Sequence, residues 1–197
     1  WSNTQYTLKD NEIVKEEINN QIQYSSVKKQ TNKKSNELVI VLDPGHDSKH
    51  AGATGVNGIR EEVLTLQIAK SCKEELEKYN GVKVYLTRED SNCPFPDSKD
   101  NIDDIVKRVA YANSLGADAF VSIHLNSFNK EAYGAEVYYH SQNNSGKELA
   151  QKIQTELVNL GLHDRKVKAN DAYAVINNSQ RYGFPGIIIE HAYIDNV

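Results

Sequence analysis

The sequence predicts an α/β fold: one mostly parallel sheet covered by helices on both faces. Three observations predict it. Short apolar runs bounded by turn residues, LVIVL at 38–42, AFVSI within 117–124 and GIIIE at 186–190, read as strands buried on both faces. Between them lie segments whose apolar residues recur at helical spacing. From residue 37 the two kinds alternate, which argues for βα units.

In chain order, LVIVL runs into Pro44-Gly45 and releases His46 between Asp43 and Asp47. A loop over 44–60 holds Gly45, Gly52, Gly55 and Gly58. Leu64, Ile68, Leu76 and Tyr79 predict a helix over 61–79, stopped at Asn80-Gly81. VKVYLTR (82–88) is a second strand, followed by a polar loop over 89–100. Ile102, Ile105, Val109 and Leu115 predict a helix over 101–115 that stops at Gly116. ADAFVSIH (117–124) is a third strand, ending like the first in a histidine. AEVYYH (135–140) alternates as a half-buried edge strand should. Leu149, Ile153, Leu157 and Leu160 predict a helix over 145–160. AYAVI (172–176) reads as a short strand and GIIIE as the last buried one.

Residues 1–36 contain no Gly or Pro and are dominated by Asn, Gln, Ser, Thr and charged side chains, too polar for a core of their own. They are expected to form a linker or N-terminal appendage to a domain at 37–197, with Ile13, Ile18 and Ile22 able to support a marginal helix. Starting at Trp1 without any methionine, the chain reads as a piece of a longer protein. Its amino end is polar from Ser2 and lacks a signal-peptide pattern. No apolar stretch reaches the roughly 20 residues a membrane helix needs. A formal charge of −4 gives no electrostatic case for nucleic acid. Cys72 falls on the apolar side of the first helix and Cys93 in the loop SNCPFP; two cysteines make no framework, though a Cys72–Cys93 bond is conceivable in an oxidising compartment.

Three buried strands end in a metal-binding or protonatable side chain: His46, His124 and Glu190. Parallel strands would bring all three to one rim, where open α/β sheets bind ligands. One such histidine or carboxylate is ordinarily a hydrogen-bonded rim residue; three at separate strand ends point to a site. Two histidines and a carboxylate, with a position left open, are the ligand set of catalytic zinc. A further carboxylate must then stay off the metal to move protons. Glu61 and Glu62 supply that second acid, facing back toward His46 from the start of the first helix, where one of them need only complement the helix dipole. His50, His140 and His163 are expected at the surface, and His191 points opposite to Glu190 in a packed or rim role. The loop glycines do not form GxGxxG and no Gly-x-Ser-x-Gly occurs, so nucleotide-phosphate and serine-nucleophile chemistry are disfavoured.

The ordered set LDPGHD (42–47), GIREEVLTLQIA (58–69), LTRED (86–90), RVAYAN (108–113), FVSIHLNS (120–127), GAEVYYH (134–140) and GIIIEHAYIDN (186–196) resembles the zinc-dependent N-acetylmuramoyl-L-alanine amidases of the amidase-3 type. The likeness runs from about residue 38 to the end. It implies a twisted six-stranded sheet flanked by helices and one zinc ion per chain. It implies that His46, Glu61 and His124 bind the metal and that Glu190 is the catalytic acid and base, with Glu61 taken over Glu62 from its alignment to LQIA. The implied substrate is peptidoglycan, cut at the amide between the lactyl group of N-acetylmuramic acid and the L-alanine of the stem peptide. A secreted or wall-associated bacterial autolysin follows from this, with any wall-binding modules outside this chain. Asp43 or Asp47 would hold the outer nitrogen of a zinc histidine, a task backbone carbonyls serve equally well.

The sequence departs from the family pattern at Asp47, where a glycine often follows the histidine, and at His191, where a small or apolar residue often follows the glutamate. Neither is a ligand position, so activity is expected to survive while the groove changes shape. Two other readings compete: a wall-binding domain without catalysis, and a zinc exopeptidase acting on free peptides. Steric occlusion of the zinc by residues 1–36 would make an autoinhibited variant of the enzyme.

Overall fold

LVIVLDP forms the first strand, β1 (Leu38–Pro44), and the chain then alternates much as its apolar pattern dictates. The computed structural model describes residues 37–56 and 58–196, so the expectation for residues 1–36 lies outside the described residues. After β1 come helix α1 (Glu61–Leu76), strand β2 (Val82–Leu86), helix α2 (Asn101–Ser114) and strand β3 (Ala119–Asn126). Strand β4 (Ala135–Tyr139), helix α3 (Asn144–Asn159), strand β5 (Asp164–Ala169), helix α4 (Ala174–Tyr182) and strand β6 (Gly186–Tyr193) complete it.

The strands make one six-stranded sheet in the order β2-β1-β3-β6-β4-β5. Every pairing is parallel except β4 with β6, where Glu136 lies opposite Glu190. One face is packed by α1 and α3, through Ala69, Ile68, Cys72, Ala150 and Leu157 against Leu42, Val84, Ile187 and Ile189. The other is packed by α2 and α4, through Val109, Ala112, Val175 and Ile176 against Val41, Phe120 and Ile188. Burial of side chains such as Phe120 and Ile187, both at 0% exposure, contributes about 1.5–3 kcal/mol each. Among the described residues no helix is long and apolar enough to cross a membrane.

Three expectations are corrected. AYAVI is not a strand: from Ala174 it winds into α4, which ends at Gly183 with φ 82, the left-handed helix stop that glycine favours. A five-residue apolar run carries no periodicity able to separate a buried strand from one face of a short helix. The fifth strand is instead DRKVKA, whose charges suit a sheet edge, where Lys discourages pairing with another chain. AEVYY, read as an edge strand, lies between β6 and β5, and Ala135, Glu136 and Val137 are buried.

Candidate active site

The carboxyl ends of β1, β3 and β6 meet at one rim because these strands are parallel neighbours, with His124 in register beside Glu190. Chain reversal after β1 puts His46 in the left-handed region at φ 64, a conformation that non-glycine residues rarely adopt and that clusters at functional sites. Its Nδ1 lies 3.2 Å from the carbonyl oxygen of His50, so that Nε2 is turned toward Glu61 Oε2 at 3.3 Å.

Glu61 opens α1 with its side chain directed back into the rim and is 3% exposed. The Ala53 amide donates to its Oε2 at 2.8 Å and the Leu125 amide to its Oε1 at 3.0 Å. His124 Nδ1 lies 3.1 Å from the same Oε1. One donor atom each from His46, Glu61 and His124 therefore fits within a 4.8 Å span. Glu62 goes elsewhere: its carboxylate is buried against Arg60 Nε at 2.5 Å.

Two glycines permit this convergence. A Cβ on Gly45 would sit 2.5 Å from His124 Nε2, and one on Gly52 would strike the Glu61 carboxylate and sit 2.5 Å from His46 Cδ2. The Gly-rich loop is thus short of side chains because those of His46, Glu61 and His124 occupy that space. We expect Gly52→Ala to displace Glu61 and His46 and to lower activity roughly 100-fold. The variant's zinc content and rate measured together check this; full metal and full rate would contradict it.

Glu190 is 4% exposed, and its Oε2 makes no hydrogen bond. Burial, reinforced by the Glu61 and Glu136 carboxylates and opposed by His124, pushes its carboxyl up to about 7. Burial would also raise Glu61, but hydrogen bonds and charge from His124 and His46 hold it well below the usual carboxylate range. His124 moves the other way: burial opposes a charge there, yet the Glu61 hydrogen bond and the Glu190, Glu61 and Asp43 carboxylates favour it. The rim is a place where positive charge is stabilised. Two imidazoles and a carboxylate are donors suited to zinc, so the residues fit the ion that the resemblance implies.

Glu136 escaped the sequence reading. A carboxylate on an alternating strand reads as solvent-facing, yet this one is 2% exposed on the face it shares with Glu190. It accepts from Asn126 Nδ2 at 2.9 Å, Tyr138 Oη at 2.8 Å and Arg165 Nε at 3.1 Å, and from Lys168. Burial opposes its charge, but these donors keep it below the usual range.

Behind the rim, Asp43 accepts from Thr87 and Ser122, each at 2.6 Å, and from Arg108 Nη1 at 3.0 Å. Arg108 also reaches Asp47 Oδ2 at 2.5 Å and Asp104 Oδ2 at 2.7 Å. Of the two ways foreseen to orient a zinc histidine, the backbone one is found at His46: Asp43 bonds Thr87, Ser122 and Arg108, Asp47 bonds Arg108 and the Lys49 and His50 amides, and the His50 carbonyl holds His46. Arg88 pins the Pro-Gly turn from below through the carbonyls of Pro44, at 3.1 Å, and Gly45, at 3.1 Å.

Among the remaining histidines and cysteines, His50 and His140 depart from expectation, while His163, His191 and Cys72 keep to it. His50 is not simply exposed: its side chain is 12% accessible and its Nδ1 lies 3.2 Å from Asp47 Oδ1. His140 is buried at 8%, accepting the Gln142 amide on Nδ1 at 3.2 Å. His163 is exposed beside Tyr133, and His191 packs with Nδ1 3.4 Å from the His124 carbonyl oxygen. Cys72 and Cys93 are free and both half-buried, not joined, with Cys72 packed on the core under α1. Burial, with Asp104 and Asp47 beside it, pushes the Cys93 thiol up to about 11.

Residues 40–197 match the sequence profile of the N-acetylmuramoyl-L-alanine amidases. The N-acetylmuramoyl-L-alanine amidase LytC of Bacillus subtilis is 37% identical over 161 residues, 80% of this chain and 29% of that protein. A germination-specific N-acetylmuramoyl-L-alanine amidase of the same organism is 30% identical over 165 residues, 80% of this chain and 68% of that one. Among solved structures, amidase AmiC2 of Nostoc punctiforme superposes with a TM-score of 0.68 at 30% identity, covering 83% of each chain. The chain thus spans under a third of LytC, and the fold of the described residues is that of the solved amidase domain.

Proposed function

The chain belongs to the N-acetylmuramoyl-L-alanine amidase family, and from that premise we propose that it is a zinc-dependent peptidoglycan hydrolase. It cleaves the amide between the lactyl group of N-acetylmuramic acid and the L-alanine of the stem peptide. The observation that carries this reading is the pairing of the His46, Glu61 and His124 donor set with a buried carboxyl, Glu190, whose Oε2 is unpartnered. One zinc ion would be held by those three residues, where it supplies Lewis-acid polarisation of the carbonyl and an acidified water.

The chain's own residues do the rest. The Ala53 and Leu125 amides fix the Glu61 carboxylate, and the His50 carbonyl fixes the His46 ring, so neither donor need reorganise when substrate arrives. Glu190 Oε2 is free to accept the proton of the attacking water and to return it to the nitrogen of the leaving amine. Burial supports this by keeping its affinity for a proton high enough to make the transfer reversible near neutral pH. Working on peptidoglycan places the enzyme outside the cell or in the wall, with wall-binding modules beyond this chain as a further part of the proposal.

The test is digestion of purified peptidoglycan followed by mass analysis. We expect stem peptides with free L-alanine amines, their loss on chelation and their return on adding zinc. Release that needs only a free peptide end, or that persists in chelator, would defeat the reading.

A further inference from the structure

A second group of donors lies on the far side of His46, and the function above makes no use of it. Asp47 and His50 come from the turn after β1, Cys93 from the loop after β2 and Asp104 from α2. One ligand atom from each falls within a 4.8 Å span. From this geometry we propose that Asp47, His50, Cys93 and Asp104 form a closed, four-ligand structural zinc site, separate from the catalytic one.

The spacing fits such an ion. Zinc bonds of about 2.0–2.3 Å to N, O and S in a tetrahedron put neighbouring donors about 3.3–3.6 Å apart. Here Cys93 Sγ is 3.4 Å from Asp104 Oδ1 and 3.9 Å from His50 Nδ1. His50 Nδ1 is 3.2 Å from Asp47 Oδ1 and 3.9 Å from Asp104 Oδ2. Three separate chain segments supply the donors, and none of the four side chains is more than half exposed, as a closed site requires.

The charge balance points the same way. Asp43, Asp47 and Asp104 are 3%, 0% and 1% exposed, and all three carboxylates converge on the one Arg108 guanidinium. Arg88 nearby spends its hydrogen bonds on carbonyls, Asp90 among them, and on Thr65 rather than on these acids. The negative charge left over is what a cation at this point would neutralise. On binding, zinc displaces the thiol proton of Cys93 and takes the Nδ1 lone pair of His50, whose remaining proton moves to Nε2. A disulfide role for Cys93 is ruled out by its free thiol, and a nucleophilic one by the shared nitrogen: Cys93 and Asp47 both face Nδ1 of His50, so no relay through the ring exists.

The consequence reaches the catalytic rim. The His50 carbonyl is what orients His46, so an ion tying His50 to α2 and to the 93 loop would hold that carbonyl in place. Two turns of loop would be clamped by one ion.

The test measures metal per chain on purified, dialysed protein. Zinc content should be two equivalents in the wild type, one in Cys93→Ala and one in His124→Ala. Cobalt-loaded wild type should show thiolate-to-cobalt charge-transfer absorption, which Cys93→Ala lacks. In unmodified protein, zinc should slow alkylation of Cys93 on the order of tenfold while leaving Cys72 unchanged. One equivalent in the wild type that survives Cys93→Ala, with no charge-transfer band, overturns the proposal, as does equal labelling of Cys93 with and without zinc. A wild type whose single equivalent is lost in Cys93→Ala but kept in His124→Ala would sustain this site and defeat the catalytic zinc reading instead.

Discussion

Replacing Glu190 by Gln should leave zinc bound and lower kcat by on the order of 10²–10⁴-fold, the usual contribution of one positioned general acid–base. The substitution is close to isosteric, and the Oε2 it changes makes no hydrogen bond in the chain. Loss of rate therefore cannot be assigned to a broken structural contact. The His46, Glu61 and His124 donors are untouched, so zinc content and thermal stability should match the wild type. Substrate binding, which does not need the proton transfer, should hold KM within a few-fold. The wild-type pH profile supplies a second readout. Glu190 acts first as a base, so kcat/KM should fall as pH drops through its pKa. Burial and like charge push that value up to about 7 without a metal, and a bound cation lowers it, so the acid limb should lie at or below neutrality. Glu190→Gln should lack that limb. Wild-type rates in the variant, or an unchanged limb at lower amplitude, would remove Glu190 from the reaction.

The site was legible to the extent that topology forced it. Parallel buried strands announce themselves as apolar runs, and anything at their carboxyl ends must share a rim, so His46, His124 and Glu190 could be grouped before any contact was known. The pair Glu61 and Glu62 was reachable because a Gly-rich loop followed by a helix start leaves few other acids near His46, while Glu61 was singled out by the family resemblance through its alignment to LQIA. Glu136 was not reachable, since its burial depends on β4 lying between β6, to which it is antiparallel, and β5, to which it is parallel, and nothing in AEVYY encodes those neighbours. The exchange of AYAVI for DRKVKA as the fifth strand has the same origin. An edge strand needs no apolar alternation, and a nine-residue helix that buries only Val175, Ile176 and Ser179 shows too little of its period to be recognised. His50 and Cys93 looked like loop residues because sequence cannot show that two loops and a helix side close over them.

Removing the Arg108 guanidinium should be the most damaging single change to stability. Arg108 is 3% exposed and is shared by Asp43, Asp47 and Asp104. Stripping one partner from a buried ionic group costs roughly 3–5 kcal/mol, because the remaining charge is left without compensation. For a domain held by about 5–15 kcal/mol, Arg108→Met should forfeit a large share of the total, read as a fall in the urea midpoint at pH 7. The pH dependence should also reverse sign. Burial alone would raise the Asp43 carboxyl, but Arg108, with the Ser122 and Thr87 hydroxyls, holds it below its ordinary value. A depressed folded-state pKa contributes stability that is present above the unfolded value near 3.9 and lost as pH falls through the folded one. Without the guanidinium, burial dominates, and the folded state takes up a proton more readily than the unfolded chain. The variant should then gain stability as pH falls through its raised pKa, narrowing the gap to the wild type in mild acid. Adding Asp43→Asn to Arg108→Met should recover part of the loss at pH 7, since it removes one of the stranded charges. A single variant costing less than about 1 kcal/mol, or a gap that widens toward acid, would mean that Asp43 does not depend on Arg108 for its ionised state.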